Sequence, residues 1–291
     1  MIMDKLTNHL TKEYLQKLEA LTYTLSTRLT TGYGGARKAK GKGGSMEFSD
    51  FRAYAEGDDL RRVDWNSYAR QGKLSVKLFM EEKQATANLF VDTSASMGFG
   101  DGAKGLYAKM LAASLGYIFM KNTDRVNLFA VQDNLRADKG GLSSKGQFFE
   151  LVNALEALEF GGETKLEAAL AQSQKQRLGS GISFVFSDFF SADGFEAGAL
   201  ALAQAGQAVV LVLLLSADEA RPELDGMMRL VDAETQQTRD VRVTAEVLTR
   251  YAEAVETHKT HIKNFCARHG FGYVYADTDM HPLETIGELV R

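Results

Sequence analysis

The 291-residue chain has a single cysteine, Cys266, so no disulfide can form within it, and this scarcity fits a reducing compartment. Nothing near its start has the charged beginning, apolar centre and small-residue cleavage site of a secretory signal. Its most apolar run, residues 208–215, is far short of the ~20 residues a membrane-spanning helix needs and reads as a buried central strand. The Gly-x-x-x-x-Gly-Lys-[Ser/Thr] phosphate loop is absent, which excludes a P-loop ATPase. Basic charge is not in excess. The 34 Lys and Arg against 38 Asp and Glu give a formal net charge of −4 and a pI near 5.8, which argues against wholesale nucleic-acid binding. The expectation is a cytoplasmic protein with no membrane span and no nucleic-acid partner.

What is present is enough apolar material for a buried core: 45% of the residues are hydrophobic, in one large domain or two small ones. Strand-like runs at 86–92, 125–132, 181–187, 208–215 and 271–277 alternate with helical segments near 103–122, 145–159, 164–178, 195–206, 246–269 and 282–290. That alternation predicts a Rossmann-like α/β fold, a mostly parallel sheet with helices on both faces. Leu15, Leu18, Leu21, Leu25 and Leu29 give residues 6–29 one apolar helical stripe. Residues 30–45, with Arg37, Lys38, Lys40 and Lys42, read as a solvated loop, the alternative being a phosphate or acidic-partner contact. A polar insertion at about 217–245 carries two strand-like runs, 228–232 and 239–243, flanking Thr235-Gln236-Gln237-Thr238, and predicts an inserted β-hairpin.

Asp92-Thr93-Ser94-Ala95-Ser96 follows the first apolar run. An Asp and two serines at alternating positions can aim a carboxylate and two hydroxyls at one point as the chain leaves a strand. Such hard oxygen donors suit Mg²⁺ better than zinc. Gly161-Gly162-Glu163-Thr164 places a hydroxyl at the start of a helix, and Ser187-Asp188 ends a second apolar strand. In doubly wound sheets ligands gather at strand carboxyl ends where the strand order switches, so Asp92, Ser94, Ser96, Thr164 and Asp188 are expected to converge on one ion.

This constellation resembles the metal-ion-dependent adhesion site of von Willebrand factor A domains. The resemblance implies one divalent cation, Mg²⁺ or in its place Mn²⁺ or Ca²⁺, with Asp92, Ser94 and Ser96 as direct ligands and Asp188 holding a coordinated water. Thr164 would be direct or water-mediated depending on ligation state. One coordination place would stay open for a partner's carboxylate. Upstream, the string Gly43-Gly44-Ser45-Met46-Glu47-Phe48-Ser49-Asp50-Phe51-Arg52-Ala53-Tyr54, then Glu56-Gly57-Asp58-Asp59-Leu60-Arg61-Arg62-Val63-Asp64-Trp65 and Ala69-Arg70-Gln71-Gly72-Lys73-Leu74, is similar to the signature of the bacterial family known as domain of unknown function 58. Members of that family are often encoded beside MoxR-type AAA+ ATPases. It implies a non-enzymatic adaptor whose partner is such an ATPase or a client of one.

The expected division is therefore 1–82, an N-terminal helix with a small β-rich extension, and 83–291, a von Willebrand factor A-like domain carrying the hairpin. The mixed charges of 48–80 read as ion pairs that clamp the extension, with the lone Trp65 at or near a core. The functional alternative makes Arg61, Arg62, Trp65 and Arg70 a partner-binding surface.

Rival chemistries fare less well. An aspartyl-phosphate enzyme of the haloacid-dehalogenase kind needs an acid two residues after its Asp, and Ser94 stands there. A serine hydrolase needs a Gly-x-Ser-x-Gly elbow, which Ser94 and Ser96 lack. His258 and His261 have the helix spacing to share zinc, although surface or packing roles explain them, and the Cys266 thiol, more simply. The glycines at 98, 100 and 102 read as a turn. Glu163 is open between surface charge and a water-holding role. The two alternatives to an adaptor are a metal-dependent phosphohydrolase and a structural module with a vestigial site.

Overall fold

The computed structural model describes residues 5–29, 46–81, 84–98, 102–176, 178 and 181–289. The basic run 37–42 and Phe99, Gly100 and Asp101 lie outside the described residues. The chain forms two compact units, residues 34–84 and the remainder, 1–33 with 85–291.

The larger unit begins with α1 (Leu6–His9) and α2 (Lys12–Leu29). A single helix over 6–29 was the expectation. It breaks at Leu10 and Thr11, where the Thr11 hydroxyl accepts the Tyr14 N–H at 3.2 Å and so starts a new helix. Leu6, Tyr14 and Leu18 are buried in the core of the sheet unit. That burial places these helices with the sheet, whereas the expected division grouped them with the β-rich extension.

In the smaller unit, β1 (Met46–Ala53) pairs antiparallel with β2 (Ser75–Glu81), and between them lie a 3-10 turn and α3 (Trp65–Gln71). The Asp64 carboxylate caps α3 by accepting from Asn66 N and Ser67 N, and Gly72 at φ +65° ends it. Arg52 forks onto both Asp58 oxygens at 2.7 and 2.5 Å. Among the described residues of this unit Val63 and Val76 are buried, and α3 has no buried residue. Trp65 is accordingly 55% exposed, edge-on to Tyr68, and the expected near-core placement is corrected.

The sheet unit then runs β3 (Thr86–Asp92), α4 (Ala103–Lys121), β4 (Arg125–Val131), β5 (Leu135–Leu142), α5 (Phe148–Glu156), α6 (Leu166–Ala171), β6 (Gly181–Ser187), α7 (Glu196–Gln204), β7 (Gln207–Leu215), α8 (Ala217–Ala220), β8 (Gly226–Val231), β9 (Thr238–Val243), α9 (Ala245–His269), β10 (Gly272–Asp277) and α10 (Pro282–Leu289). Six strands make one sheet in the order β10-β7-β6-β3-β4-β5, parallel except for β5. The edge strand β5 was not anticipated, because Leu-Arg-Ala-Asp-Lys-Gly-Gly-Leu has neither an apolar run nor strict alternation.

Side-chain alternation sorts the two faces. Leu89, Val91, Phe184 and Phe186 join α1, α2, α4, α5 and α10 in one core, while Phe90, Val185, Leu211 and Leu213 join α6, α7 and α9 in the other. The fold is thus the expected α/β architecture, a mostly parallel doubly wound sheet with helices on both faces. Helix α4 is buried almost all round, as an apolar central helix must be. Low in the sheet, Asn88, Asn127, Ser183 and Gln207 hydrogen-bond across the strands, with Asn88 bridging Asn127 on β4 and Gln207 at the start of β7 at 2.8 Å each. The chain leaves β3 toward β4 and β5, then returns to β6 on the opposite side of β3, so the strand order switches between the carboxyl ends of β3 and β6. The hairpin β8–β9 forms a separate two-stranded sheet, as the polar insertion predicted.

Candidate functional site

Asp92 is the last residue of β3 and is 2% exposed. The strand stops there because the next residues find side-on partners. Thr93 N–H donates to Val131 O at 2.8 Å, and Ser94 N–H folds back onto Asp92 Oδ1 at 2.9 Å, an Asx turn. Asp92 Oδ1 also accepts from Thr164 Oγ1 at 3.0 Å, and Oδ2 accepts from Ser187 Oγ at 2.6 Å. Ser94 Oγ and Ser96 Oγ lie 2.9 Å apart. Buried Met97 anchors the turn, and Gly98 is packed so closely that an added Cβ would stand 2.6 Å from Phe160 Cβ.

The Thr164 loop is laced to the Asp92 loop by main-chain bonds. Gly161 N–H donates to Thr93 O at 2.9 Å, Ala95 N–H to Gly162 O at 3.0 Å, and Lys165 N–H to Gln132 O at 3.0 Å. The Gln132 amide also holds Gly161 O, and Gly162 takes φ +72° to make the turn. From below, Ser191 Oγ donates to Thr164 O at 2.9 Å. Helix α6 begins at Leu166, so Thr164 stands just ahead of it, with its hydroxyl on Asp92 and not on a cap.

Asp188 follows β6, is 2% exposed, and precedes Phe189 in the left-handed region at φ +57°. Its Oδ2 takes the ammonium of Lys104 at 2.8 Å, its Oδ1 the N–H of Phe190 at 3.2 Å, and its carbonyl meets His258 Nε2 at 2.9 Å. Lys104, 2% exposed in the first turn of α4, also reaches Glu219 Oε1 at 2.6 Å. Burial alone would lower the Lys104 pKa, and the two carboxylates outweigh it, so the ammonium is held charged. A third acid arrives from the hairpin turn: Glu234 Oε2 accepts the Thr164 N–H at 3.4 Å.

Negative charge at this strand switch exceeds its compensation. Burial first, and then the charge of Asp188, push the Asp92 carboxyl up to about 6, against the hydrogen bonds from Ser187 and Ser94. Burial likewise raises Glu234, with Asp92 and Asp188 adding to the effect. Lys104 is shared by Asp188 and Glu219, while Asp92 and Glu234 are held by hydroxyl and N–H donors.

Asp92, Ser94, Ser96 and Thr164 are brought together by direct hydrogen bonds. Asp188 lies near them, with its carboxylate turned to Lys104. Arg61, Arg62, Trp65 and Arg70 all lie exposed in the smaller unit. Sequence reasoning missed Ser187, Lys104, Glu219 and Glu234 as parts of the site. Lys104 shared a readable signal with Lys109, charges within a largely apolar helix; Glu234 carried none, because a glutamate in a polar turn is ordinary. His258 and His261 engage different partners, Asp188 O and Glu196 Oε1, and do not share a site. Among the described residues no three His, Cys, Asp or Glu side chains are grouped as a metal cluster, so any ion here would rest on mixed carboxylate and hydroxyl oxygens. Cys266 is buried in α9, its thiol pushed up to about 12 by burial, and acts as a packing residue. No helix among the described residues is long and apolar enough to cross a membrane.

The family model described as Protein of unknown function DUF58 matches residues 50–261, which takes in the Arg/Asp/Trp signature, the Asp92 loop, Thr164 and Asp188. The chain belongs to this family. The match covers most of this DUF58 chain, and a relative, the uncharacterized protein Rv1480 of Mycobacterium tuberculosis, is 22% identical over 250 residues, 84% of this chain and 78% of that protein. Among solved structures, the conserved hypothetical protein BatB from Bacteroides thetaiotaomicron is similar at a TM-score of 0.42 and 15% identity, covering 70% of this chain and 95% of BatB. A von Willebrand factor type A structure from Catenulispora acidiphila is similar at a TM-score of 0.39 and 11% identity, covering 75% of this chain and 43% of that one.

Proposed function

We propose that this DUF58 protein is a Mg²⁺-dependent interaction adaptor that engages an acidic residue of a partner at the β3–β6 switch. The observation that carries the reading is the convergence of the Asp92, Ser94, Ser96 and Thr164 oxygens beside an uncompensated set of carboxylates. The donor set fits the ion. Adjacent corners of an octahedron with bonds of about 2.0–2.1 Å lie about 2.9 Å apart. The Ser94–Ser96 and Asp92–Thr164 oxygen pairs stand at 2.9 and 3.0 Å. With Asp188 and Glu219 paired to Lys104, Asp92 would be the ion's direct carboxylate, and a divalent ion with so few charged ligands keeps positive charge to attract a partner's carboxylate.

The chain's own residues do the rest. Ser187 and the Ser94 N–H orient the Asp92 carboxylate, Lys104 holds Asp188, and the laced loops fix Thr164. Among the described residues no Ser or Thr hydroxyl of the site is hydrogen-bonded to a histidine, so the nucleophile-and-base pairing of a serine hydrolase has no support. The family resemblance supports a MoxR-type AAA+ ATPase, or a client of one, as the partner.

The test is capture of a MoxR-type ATPase by wild-type and Asp92→Ala protein, in Mg²⁺ and in EDTA. Binding lost in both EDTA and the variant is the expected result. Retained binding in both refutes the reading, and phosphoester turnover lost in Asp92→Ala replaces it with the phosphohydrolase.

A further inference from the structure

The hairpin β8–β9 is mostly exposed, and its turn is held open in a defined shape. Asp232 Oδ1 accepts the N–H groups of Glu234 at 3.0 Å and Thr235 at 2.7 Å, Asp232 N–H reaches Gln237 O at 2.9 Å, and Gln236 sits at φ +59°. This turn fixes the Glu234 backbone. The side chain is half-buried while Thr235 to Asp240 around it are exposed, and its carboxylate accepts the Thr164 N–H within range of the Asp92 and Asp188 charges. Like charges within range of one another repel unless a cation offsets them. A glutamate on an exposed arm has free space to avoid that repulsion. Here the turn delivers it to the site.

We propose that Glu234 is the site's internal ligand: it takes the approach that a partner's carboxylate would use, so a partner binds only after the hairpin tip swings away. This rests on the metal-site reading above and adds its regulation. The chemistry is symmetrical, since one glutamate carboxylate is exchanged for another, and the intramolecular one has the advantage of a short tether. An external acid therefore pays a population penalty set by the fraction of molecules in which the tip is open. A latch closed in nine molecules of ten weakens an external carboxylate about tenfold.

The experiment uses Mn²⁺ as the probe and the full chain as wild type, Glu234→Gln, Glu234→Ala and Asp92→Ala. Water-proton relaxation counts the exchangeable waters on bound Mn²⁺, and acetate is titrated as the competing carboxylate. The expected result is Mn²⁺ binding by wild type that Asp92→Ala abolishes, about one extra water in both Glu234 variants, and acetate binding at least about tenfold tighter in them than in wild type. Unchanged hydration and unchanged acetate affinity, with Mn²⁺ still bound through Asp92, overturn the latch and leave the metal site standing. Mn²⁺ that fails to bind wild type and the Glu234 variants, or that binds Asp92→Ala equally well, overturns the metal site and the latch with it.

Discussion

Replacing Lys104 by methionine tests the electrostatic account of the site without touching any of its oxygens. The ammonium is 2% exposed and lies 2.8 Å from Asp188 Oδ2, whose side chain is 3% exposed, and 2.6 Å from Glu219, which is 30% exposed. Methionine keeps the length and the apolar stem and removes the charge. Breaking a buried pair from one side costs about 3–5 kcal/mol, because the remaining carboxylate is left desolvated and unpaired. Glu219, partly exposed, regains water and adds little. With a urea m-value of about 3 kcal/mol per M, the unfolding midpoint in EDTA falls by about 1–1.7 M. Two companion measurements make the reasoning specific. Lys104→Met with Asp188→Asn recovers a large part of the loss, since the orphaned charge is then gone. Saturating Mg²⁺ stabilises Lys104→Met more than it stabilises wild type, because a cation restores the missing compensation. A Lys104→Met midpoint within about 0.3 M of wild type, or a double variant as damaged as the sum of the singles, refutes the argument.

Other outcomes follow from the same geometry. In EDTA the Asp92 carboxyl is held up near 6, above its ordinary 3.8, so the native state binds the proton more tightly; its contribution to stability is full below about pH 4 and is lost as pH rises through 6. Chemical denaturation across pH 4–7.5 checks the sign, and an Asp92→Asn protein that keeps the full decline refutes the assignment. Gly181→Ala drives a Cβ to 1.9 Å from Thr86 O, backbone against backbone, and costs at least about 1–3 kcal/mol by thermal unfolding. A midpoint equal to wild type would mean that β3 and β6 approach less closely than described. Trp65→Ala leaves stability within about 0.5 kcal/mol, since the ring is 55% exposed and stacks only edgewise on Tyr68; a large loss of stability would show it covering apolar surface after all.

Most of the sheet was legible because parallel strands buried on both faces are written as continuous apolar runs, and β3, β6 and β7 are of that kind. The edge strand β5 was not, because its pairing is supplied by β4 and its own side chains carry no pattern. The Asp92, Ser94, Ser96 and Thr164 group was readable from residue type and position. Glu219 and Glu234 were not, and the buried charge of Lys104 did not name its partners, since each reaches the site across a tertiary distance that no local spacing encodes. Trp65 was misplaced for a related reason: rarity in the sequence says nothing about whether a seven-residue helix has anything to bury against.

The amide belt of Asn88, Asn127, Ser183 and Gln207 has a bearing on the site that its distance conceals. Asn88 lies four residues before Asp92, about 13 Å along the strand, and Ser183 five before Asp188. Apolar strands grip one another well but slide, and a slip of one residue would carry a carboxylate about 3.3 Å along the sheet and turn it to the opposite face. Amides that must meet amides remove that freedom. They serve as a datum line from which the ends of β3 and β6 are levelled, so the alignment of the oxygens at the rim is set by side chains that no ion or partner touches.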